Sequence, residues 1–322
     1  MWKKQSAPLQ ITQLQAFGPG SWIENLAIRP NGQILVARFD IPEVILVDPT
    51  NKLPPITIAA WNATEYSCAS GITETTPDMF YVELSAPHDA TFLKTGGTCS
   101  IFKIDMRKFK ATTSGAVISK ATVTKTTDIL DADFLNGLDT LDDTHLLAGD
   151  KYNEWVYNVD VRTGEHHITI DDPKMKATTN ATRHLGIDGL KIRDNFLYWT
   201  NVAAGSYNKI RISERGEPIG SSMVISPIVG LDDFVFRADG TAFLAQSHSN
   251  EIMVLRPGSS TPTVIAGAPT STLLAGVTAI RFGRTLADRN RLYVTTSGAQ
   301  GAPINGTLVV PGTVSYVDLH GY

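Results

Sequence analysis

Apolar and polar residues alternate along many short stretches of the chain, and polar turns separate these stretches. An alternation with a period of two residues is typical of a β-strand that buries one face. Asx-Gly and Pro-Asn-Gly turns between neighbouring stretches are typical of β-hairpins. No long segment shows the 3.6-residue period of an amphipathic helix. The pattern therefore predicts an all-β protein that is built from hairpins.

The hairpins form an internal repeat, in which a polar start leads into an alternating strand, a turn and a second strand that ends in a polar loop. Six copies lie at residues 24–37, 71–82, 136–148, 188–200, 232–245, and 278–282 with 290–295. They begin about every 45 to 65 residues, within reach of the spacing of four-stranded propeller blades. Further strand-like runs follow, such as residues 44–48 and 101–105. We therefore predict a six-bladed β-propeller with four antiparallel strands per blade.

The repeat also predicts how the ring closes and how the chain is divided. Residues 9–14 form a strand-like run before the first copy, and residues 314–318 form another after the last copy. Pairing these two runs within the last blade would leave no open sheet edge. A length of 322 residues would usually suggest two domains, but six blades account for residues 1–322 as a single domain.

Composition and charge narrow the range of functions. Hydrophobic residues make up 42% of the chain and charged residues 19%, as in a soluble globular protein with a large core. The 28 basic and 32 acidic residues give a formal net charge of −4, and no basic run suggests a nucleic-acid or anionic-membrane surface. No stretch approaches the roughly 18 apolar residues of a membrane span. We expect a monomer that binds small molecules.

Two cysteines and three glycosylation sequons bear on the compartment. Cys68 and Cys99 are too few for a disulfide scaffold or a zinc site. A bridge between them would pin the long loop of the second blade over the pocket; two buried free thiols are the alternative. Asn-X-Thr sequons begin at Asn62, Asn180 and Asn305, and no signal peptide is visible. We expect a glycoprotein of the secretory pathway or extracellular space rather than a cytoplasmic protein.

Acidic and amide side chains recur where the innermost strands are expected to begin. In a propeller these starts meet at one rim of the central channel. They are Glu24, Thr73, Asn136, Asp188, Asp232 with Asp233, and Thr278. Converging carboxylates repel one another unless they are protonated or bind a cation, and such oxygen ligands suit calcium. We predict a calcium site of Glu24, Asn136, Asp188 and Asp232; the alternative is that these side chains cap turns.

The loops after each second strand should emerge on the same face and form the walls of a pocket. They and neighbouring segments contain the candidate catalytic donors Arg38, Tyr152, His184 and His248. Candidate substrate-binding residues are Trp22, Phe39, His88, Asn201, Tyr207 and Gln246, and Glu83 lies at the same loops. Trp61, Trp155 and Trp199 are expected between blades. No Gly-rich phosphate cradle, nucleophile elbow or Cys-His arrangement stands out.

Several motifs resemble the senescence-marker/gluconolactonase-like six-bladed propellers, and within them a fungal branch. They are residues 185–192 with 197–201, Asp232-Asp233-Phe234, residues 282–285 and residues 292–298. The resemblance extends over nearly the whole chain. In the hydrolases of this family, such as gluconolactonases and paraoxonases, a divalent ion in the pore polarises the substrate. The resemblance places its ligands at Glu24, Asn136, Asp188 and Asp232.

The sequence departs from the hydrolases of this family at several positions. Asp188 stands where the family usually has Asn, and residues 133–136 lack the arginine of the gluconolactonase Arg-x-Asn clamp. No counterpart of the paraoxonase histidine dyad is found. The fungal branch includes hetero-Diels–Alderases, which join a tropolone-type quinone methide to a sesquiterpene alkene such as humulene. The resemblance therefore implies a natural-product cyclase that requires no cofactor. The alternatives are a calcium-dependent lactonase or esterase and a non-catalytic binding propeller.

Overall fold

The computed structural model describes residues 8–178, 185–320 and 322 of the chain. Strand β1 (Ile11–Ala16) precedes the first blade, which consists of β2 (Ile23–Ile28), β3 (Ile34–Arg38), β4 (Glu43–Val47) and β5 (Ile56–Ala60). Blade 2 contains β6 (Cys68–Glu74), β7 (Met79–Ser85), β8 (Cys99–Asp105) and β11 (Thr122–Ile129). A small hairpin of β9 (Lys110–Ala111) and β10 (Val117–Ser119) lies between β8 and β11.

The other four blades follow the same order. Blade 3 contains β12 (Leu135–Asp142), β13 (His145–Asp150), β14 (Trp155–Asp160) and β15 (His166–Ile170), followed by a 3-10 turn at Pro173–Met175. Blade 4 contains β16 (Ile187–Arg193), β17 (Phe196–Asn201), β18 (Ser206–Ile212) and β19 (Pro218–Pro227). Blade 5 contains β20 (Leu231–Phe236), β21 (Ala242–Gln246), β22 (Glu251–Leu255) and β23 (Thr263–Gly267). Blade 6 contains β24 (Val277–Phe282), β25 (Arg291–Thr296), β26 (Thr313–Asp318) and β1.

The six blades form a closed ring around a central channel. Each innermost strand contacts the innermost strand of the next blade, and β24 contacts β2. In blade 6 the N-terminal strand is the outermost: β1 pairs antiparallel with β26, with Ile11 opposite Val317 and Ala16 opposite Thr313. The prediction of an all-β, six-bladed propeller with four antiparallel strands per blade is confirmed. The assignment of residues 1–322 to one domain stays a prediction.

Apolar side chains fill the spaces between neighbouring blades. Six clusters of buried residues each join the facing sheets of two adjacent blades. Full burial of one Leu, Ile or Phe side chain contributes about 1.5–3 kcal/mol, so these clusters supply the main stabilisation of the ring. Trp61, Trp155 and Trp199 pack in three of the clusters, as expected from the sequence.

The innermost strand of every blade has a shift in its pairing register just after its first residues. The shift lies between Ile23 and Asn25 in blade 1, and between Leu135 and Leu138 in blade 3. Equivalent shifts occur in the other four blades. Such bulges re-aim side chains. In each inner strand, one residue directly follows the last paired residue before the shift, and we call these six residues the ring positions. They are Glu24, Ser70, Asn136, Asp188, Asp232 and Thr278.

The expectation that Thr73 represents blade 2 at this level is wrong. Ser70 holds the ring position, and its hydroxyl donates to the Leu135 carbonyl of the next blade at 2.8 Å. Thr278 donates to the Ile23 carbonyl in the same way, at 2.6 Å. Thr73 lies three residues further along its strand, where its hydroxyl is 3.1 Å from that of Thr140. We call the end of the channel near the ring positions the upper end and the end near Thr73 the lower end.

The predicted disulfide between Cys68 and Cys99 is absent, and both cysteines are buried free thiols. Cys68 on β6 lies opposite Ser85 of β7, while Cys99 begins β8 on the other side of β7. Two strands that flank a third lie about 9–10 Å apart, beyond the roughly 7 Å limit for the Cα atoms of a disulfide. Burial raises the pKa of Cys68 to about 12 and that of Cys99 to about 11.

Two of the three sequons lie on exposed turns. Asn62 accepts hydrogen bonds from the backbone and hydroxyl of Thr64, at 3.0 and 2.9 Å, and Asn305 is exposed in the loop before β26. Asn180 lies outside the described residues. Glycosylation and the compartment stay predictions.

Among the described residues, no helix has the length and apolar character needed to cross a membrane.

Glycine is required where the upper parts of the inner strands approach each other most closely. Gly137 has a φ of 95°, and a Cβ there would lie 2.1 Å from the Asp188 carbonyl oxygen. A Cβ at Gly189 would lie 2.7 Å from the Asp233 Cα. Both neighbours are backbone atoms and cannot rotate away. These glycines therefore permit the close strand packing that brings the ring positions together.

We expect Gly137→Ala to lower the free energy of unfolding by about 2–4 kcal/mol, because it combines a left-handed φ with a backbone clash. Gly96→Ala is the matched control, since a Cβ at Gly96 meets nothing within 4 Å. Urea unfolding followed by tryptophan fluorescence measures both. Equal stability of the two variants would contradict the proposed role of Gly137.

Candidate functional site

The upper end of the channel carries a hydrogen-bonded group of polar side chains. Asn136 donates from Nδ2 to Glu24 Oε1 and to Asp188 Oδ1, both at 2.9 Å. Trp22 donates from Nε1 to Glu24 Oε2 at 2.5 Å. Asp232 completes the group, since carboxylate oxygens of Glu24, Asp188 and Asp232 all lie within 4.8 Å of one another. The predicted convergence of these four side chains is therefore present.

A lysine that the sequence analysis overlooked also belongs to this group. Lys151 follows β13, and its Nζ lies 2.8 Å from Asp188 Oδ2. Its side chain is 13% exposed and that of Asp188 is 2% exposed, so the ion pair is largely shielded from water. Burial alone would lower the pKa of Lys151, but the carboxylates of Asp188, Asp232 and Glu24 raise it above its usual value. The lysine therefore stays charged.

The three carboxyl groups hold their protons more strongly than carboxyl groups in water. Burial raises the pKa of Glu24 and of Asp188, against the lowering effect of Lys151. Burial and the neighbouring charges of Asp188 and Glu24 raise the pKa of Asp232 well above its usual range. One ammonium shared among three buried carboxyl groups cannot balance full ionisation of all three. The group can therefore both accept and donate hydrogen bonds at the channel entrance.

The residues present do not fit the predicted calcium ion. Oxygen atoms of Glu24, Asp188 and Asp232 are suitable ligands in themselves. However, Lys151 places a positive charge 2.8 Å from one of these ligands and would repel a divalent ion.

A cavity of about 120 Å³ lies above this group. Its floor includes Glu24, Lys151, Asp188 and Asp232, and its walls are mainly apolar. The wall residues are Trp22, Phe39, Phe92, Leu185, Val202, Gly230, Leu231, Ser247, His248 and Gly301. Ligand sites commonly combine such apolar walls with a few convergent polar groups.

Aromatic rings form one side of the cavity. Trp22 stacks on Phe39 with the ring centroids 4.8 Å apart, and Phe92 lies 6.3 Å from Phe39. His88 and Phe134 support them from behind, each with its ring about 5 Å from that of Phe92. Phe92 has a φ of 70°, a strained conformation for a bulky residue. The loop thus holds an aromatic ring at the cavity at a conformational cost.

Three of the predicted pocket residues line the cavity: Trp22, Phe39 and His248. His248 is exposed at the entrance. Desolvation of part of its ring, together with the nearby charge of Lys151, lowers its pKa, so the imidazole is neutral near pH 7. A neutral imidazole has one N–H donor and one acceptor. His248 can therefore offer a hydrogen bond to a ligand without adding charge.

Other predicted residues lie at the ends of the second strands or on the loop that follows, but they are held in structural contacts. Arg38 pairs with Asp40 and with Glu43. Asn201 donates to the carbonyls of Lys174 and Lys176, and Gln246 donates to the carbonyl of Val229. Tyr152 donates from its backbone N–H to Asp150. None of Arg38, Asn201, Gln246 and Tyr152 lines the cavity within the described part of the chain.

The remaining candidates lie behind the cavity, in the core or outside the described residues. Half-buried His88 has its Nδ1 3.0 Å from the hydroxyl of Ser67, and burial lowers its pKa. Tyr207 is 1% exposed and packs edge-on against Phe234 in the core between blades 4 and 5, so it forms no pocket wall. His184 lies outside the described residues.

Lys151 and Phe92 are the cavity residues that sequence reasoning missed with the largest consequence. Lys151 lies on the loop after the second strand of blade 3, directly before the predicted donor Tyr152. The repulsion expected among converging carboxylates was the available signal, because it calls for a positive side chain as well as for a metal. Phe92 carried no such signal.

Comparison with known proteins confirms the resemblance. A protein of Sarocladium schorii named hetero-Diels–Alderase asR5 is 27% identical over 356 residues, covering 98% of this chain and 85% of that protein. A hetero-Diels–Alderase of a Phoma species is 27% identical over 341 residues, covering 98% of this chain and 92% of that protein. No protein-family model matches the sequence.

Solved structures agree with the fold. A luciferin-regenerating enzyme matches with a TM-score of 0.64 and 14% identity, covering 97% of this chain and 95% of that chain. The calcium-binding protein regucalcin from Agrobacterium tumefaciens matches with a TM-score of 0.59 and 14% identity, covering 97% and 94%. The chain is thus a six-bladed propeller whose sequence is similar to two proteins named hetero-Diels–Alderase.

Glu83, expected at the pocket, is instead buried between blades 2 and 3. Its side chain is fully buried, and Oε2 accepts a hydrogen bond from the Gly71 N–H at 3.1 Å. Its Oε1 has no hydrogen-bond partner among the described residues. Burial raises the pKa of Glu83 to about 8. The neutral acid is therefore the form that the fold favours.

This burial predicts a pH-dependent stability. The contribution of Glu83 is complete below its unfolded pKa of 4.5 and is lost as the pH rises through about 8. Gln does not ionise, so Glu83→Gln does not lose this stability as the pH rises. The melting temperature of the variant minus that of the wild type should therefore be a few degrees larger at pH 9 than at pH 5.

Thermal unfolding followed by circular dichroism at both pH values measures the difference. Glu165→Gln, at an exposed position, is the control and should change little. A Glu83→Gln difference that stays constant between pH 5 and pH 9 would contradict the assignment.

Proposed function

We propose that this protein is a natural-product cyclase that acts as a hetero-Diels–Alderase. It would bind an apolar polyketide and terpene pair at the upper end of the propeller and direct their cycloaddition. The observation that carries this proposal is an aromatic cavity with a polar floor. The cation on that floor is a lysine, which pairs with Asp188 and opposes a metal ion. The two relatives named hetero-Diels–Alderase, each 27% identical over nearly the whole chain, support it.

The proposed dehydration and cycloaddition require the protein to position its substrates more than to supply reactive groups. Loss of water from a tropolone alcohol breaks the C–O bond of the alcohol and the O–H bond of the ring hydroxyl, and the hydroxyl group and the proton leave together as water to give a quinone methide. The cycloaddition then forms one C–C and one C–O bond with no net proton transfer. A protein accelerates such a step by holding both partners in one orientation and by donating a hydrogen bond to the heterodiene oxygen.

The size of the cavity suggests how the two substrates would be arranged. A volume of about 120 Å³ is below the roughly 300–1,000 Å³ of sites that enclose a whole drug-sized ligand. It suits a single ring, so the tropolone would stack among Trp22, Phe39 and Phe92. The terpene would then approach from the entrance, where Val202 and Leu185 offer apolar contacts.

Donors are available at both ends of this arrangement. Lys151 lies at the floor and His248 at the entrance of the same cavity. We assign the polarisation of the tropolone oxygens to these two side chains. Among the predicted catalytic residues that the structure describes, which leave out His184, His248 is thus the one whose position supports the role.

The calcium-dependent lactonase is the competing function, and the three carboxyl groups within 4.8 Å are the observation in its favour. A lactonase of this kind needs an ion that polarises the lactone carbonyl. The ammonium of Lys151 opposes such an ion. We therefore place the cyclase first.

Incubation of the protein with a tropolone alcohol and humulene should change the ratio or the stereochemistry of the cycloadducts relative to the uncatalysed mixture. Chiral chromatography of the products measures the change. EDTA should leave it unaltered. A product mixture identical to the background, or lactone hydrolysis that depends on added calcium, would contradict the proposed function.

Phe92→Ala should lower kcat/KM for the cycloaddition by about two- to tenfold, because it removes one aromatic contact of roughly 0.5–1.5 kcal/mol from the cavity. Phe196→Ala is the matched control, since Phe196 is half-buried on blade 4 beside Tyr198 and away from the cavity. Steady-state kinetics of the folded variants measure the effect. The same loss in both variants would show that Phe92 has no special role.

A further inference from the structure

The backbone around Lys151 fixes its position at the junction of blades 3 and 4. Its N–H donates to the Phe134 carbonyl at 2.8 Å, and its carbonyl accepts from the Gly186 N–H at 3.0 Å. The preceding residue, Asp150, accepts hydrogen bonds from the backbone N–H groups of Asp133 and Asn153 at 3.0 and 2.9 Å. The loop is therefore rigidly tied, and the lysine side chain is pre-positioned toward the channel.

We propose that Lys151 is a built-in cation that replaces a metal ion at the upper end of the channel and makes this site independent of calcium. Its Nζ contacts Asp188 at 2.8 Å, in the middle of a group whose other carboxylates come from Glu24 and Asp232. A calcium ion bound by these oxygens would have to displace the ammonium or tolerate its repulsion. The covalently attached charge is present at every calcium concentration.

A second buried aspartate pairs with a lysine in the channel, and this second pair supports the interpretation. Asp233, which is 2% exposed, lies 3.0 Å from Lys191 Nζ and 2.9 Å from an Arg281 nitrogen. Lys191 is itself buried. Both lysines therefore pair with an aspartate of an inner strand inside the channel. Compensation of buried carboxylates by side chains is thus a general feature of this channel.

The consequence for catalysis rests on the proposed function. Lys151 lines the floor of the cavity, so its remaining N–H groups can donate to an oxygen of the bound heterodiene. The amine would act there as a hydrogen-bond donor, and no covalent bond to it is formed.

Calcium titration of the substrate-free protein tests the inference. The melting temperature of the wild type should change by less than about 1 °C on addition of 5 mM calcium chloride or EDTA. Lys151→Ala leaves three carboxyl groups without their cation, and 5 mM calcium should raise its melting temperature by about 4 °C. Isothermal titration should show calcium affinity at least tenfold higher than that of the wild type.

A second variant keeps the test valid if Lys151→Ala does not fold. The double substitution Lys151→Ala, Asp188→Asn removes one positive and one negative charge together, so the net charge of the group is unchanged. It also leaves no aspartate at position 188 that has lost its lysine partner. It should also gain a calcium response. Lys125→Ala is the control: Lys125 pairs with Asp128 at 2.8 Å, but both side chains are more than 40% exposed. This variant should gain no response.

Two results would overturn the inference. One is a wild type that calcium stabilises as strongly as it stabilises Lys151→Ala. The other is a pair of folded variants at Lys151 that calcium does not affect. Because no substrate is present, these outcomes are independent of the cycloaddition assay, and a failure of the proposed function would leave them unchanged.

Discussion

Charge compensation along the channel axis is the constraint on which the site depends. The inner strands bring three carboxyl groups within 4.8 Å of one another, and those of Glu24 and Asp188 are buried. Such a group is stable only when a cation or bound protons offset its charge. Lys151 provides the cation at 2.8 Å from Asp188, and Lys191 with Arg281 does so for Asp233. The fold can therefore keep a polar axis inside an apolar ring of blades.

The fold was predictable because each blade repeats the same local pattern. Alternating strands separated by polar turns recur six times, and ring closure then follows from the need to cover sheet edges. The ring positions Glu24, Asn136, Asp188 and Asp232 followed from the same repeat. Blade 2 was placed incorrectly, at Thr73 instead of Ser70, because a register shift depends on how two strands pair. Apolar alternation within one strand does not contain that information.

The pocket was less predictable, because the direction of a side chain depends on partners from other parts of the chain. Arg38 and Gln246 end the second strands of their blades as expected, yet carboxylates and a carbonyl hold their side chains away from the cavity. Lys151 was not predicted as a site residue, although its Nζ lies 2.8 Å from Asp188 at a ring position. Cys68 and Cys99 looked close in the order of elements, but β7 lies between them.

The register shift in every inner strand separates the architecture of the propeller from the chemistry at its entrance. At each shift one or two residues leave the regular pairing. In four blades the first of them, Glu24, Asn136, Asp188 or Asp232, belongs to the polar group at the channel entrance. Exchanging one of these four side chains would change the charge of the site, while the apolar clusters between the blades would keep their residues. The present chain has serine, threonine, asparagine, aspartate and glutamate at the six ring positions. A few side chains thus set the chemistry of the entrance, whereas the apolar clusters between the blades supply most of the stability of the ring.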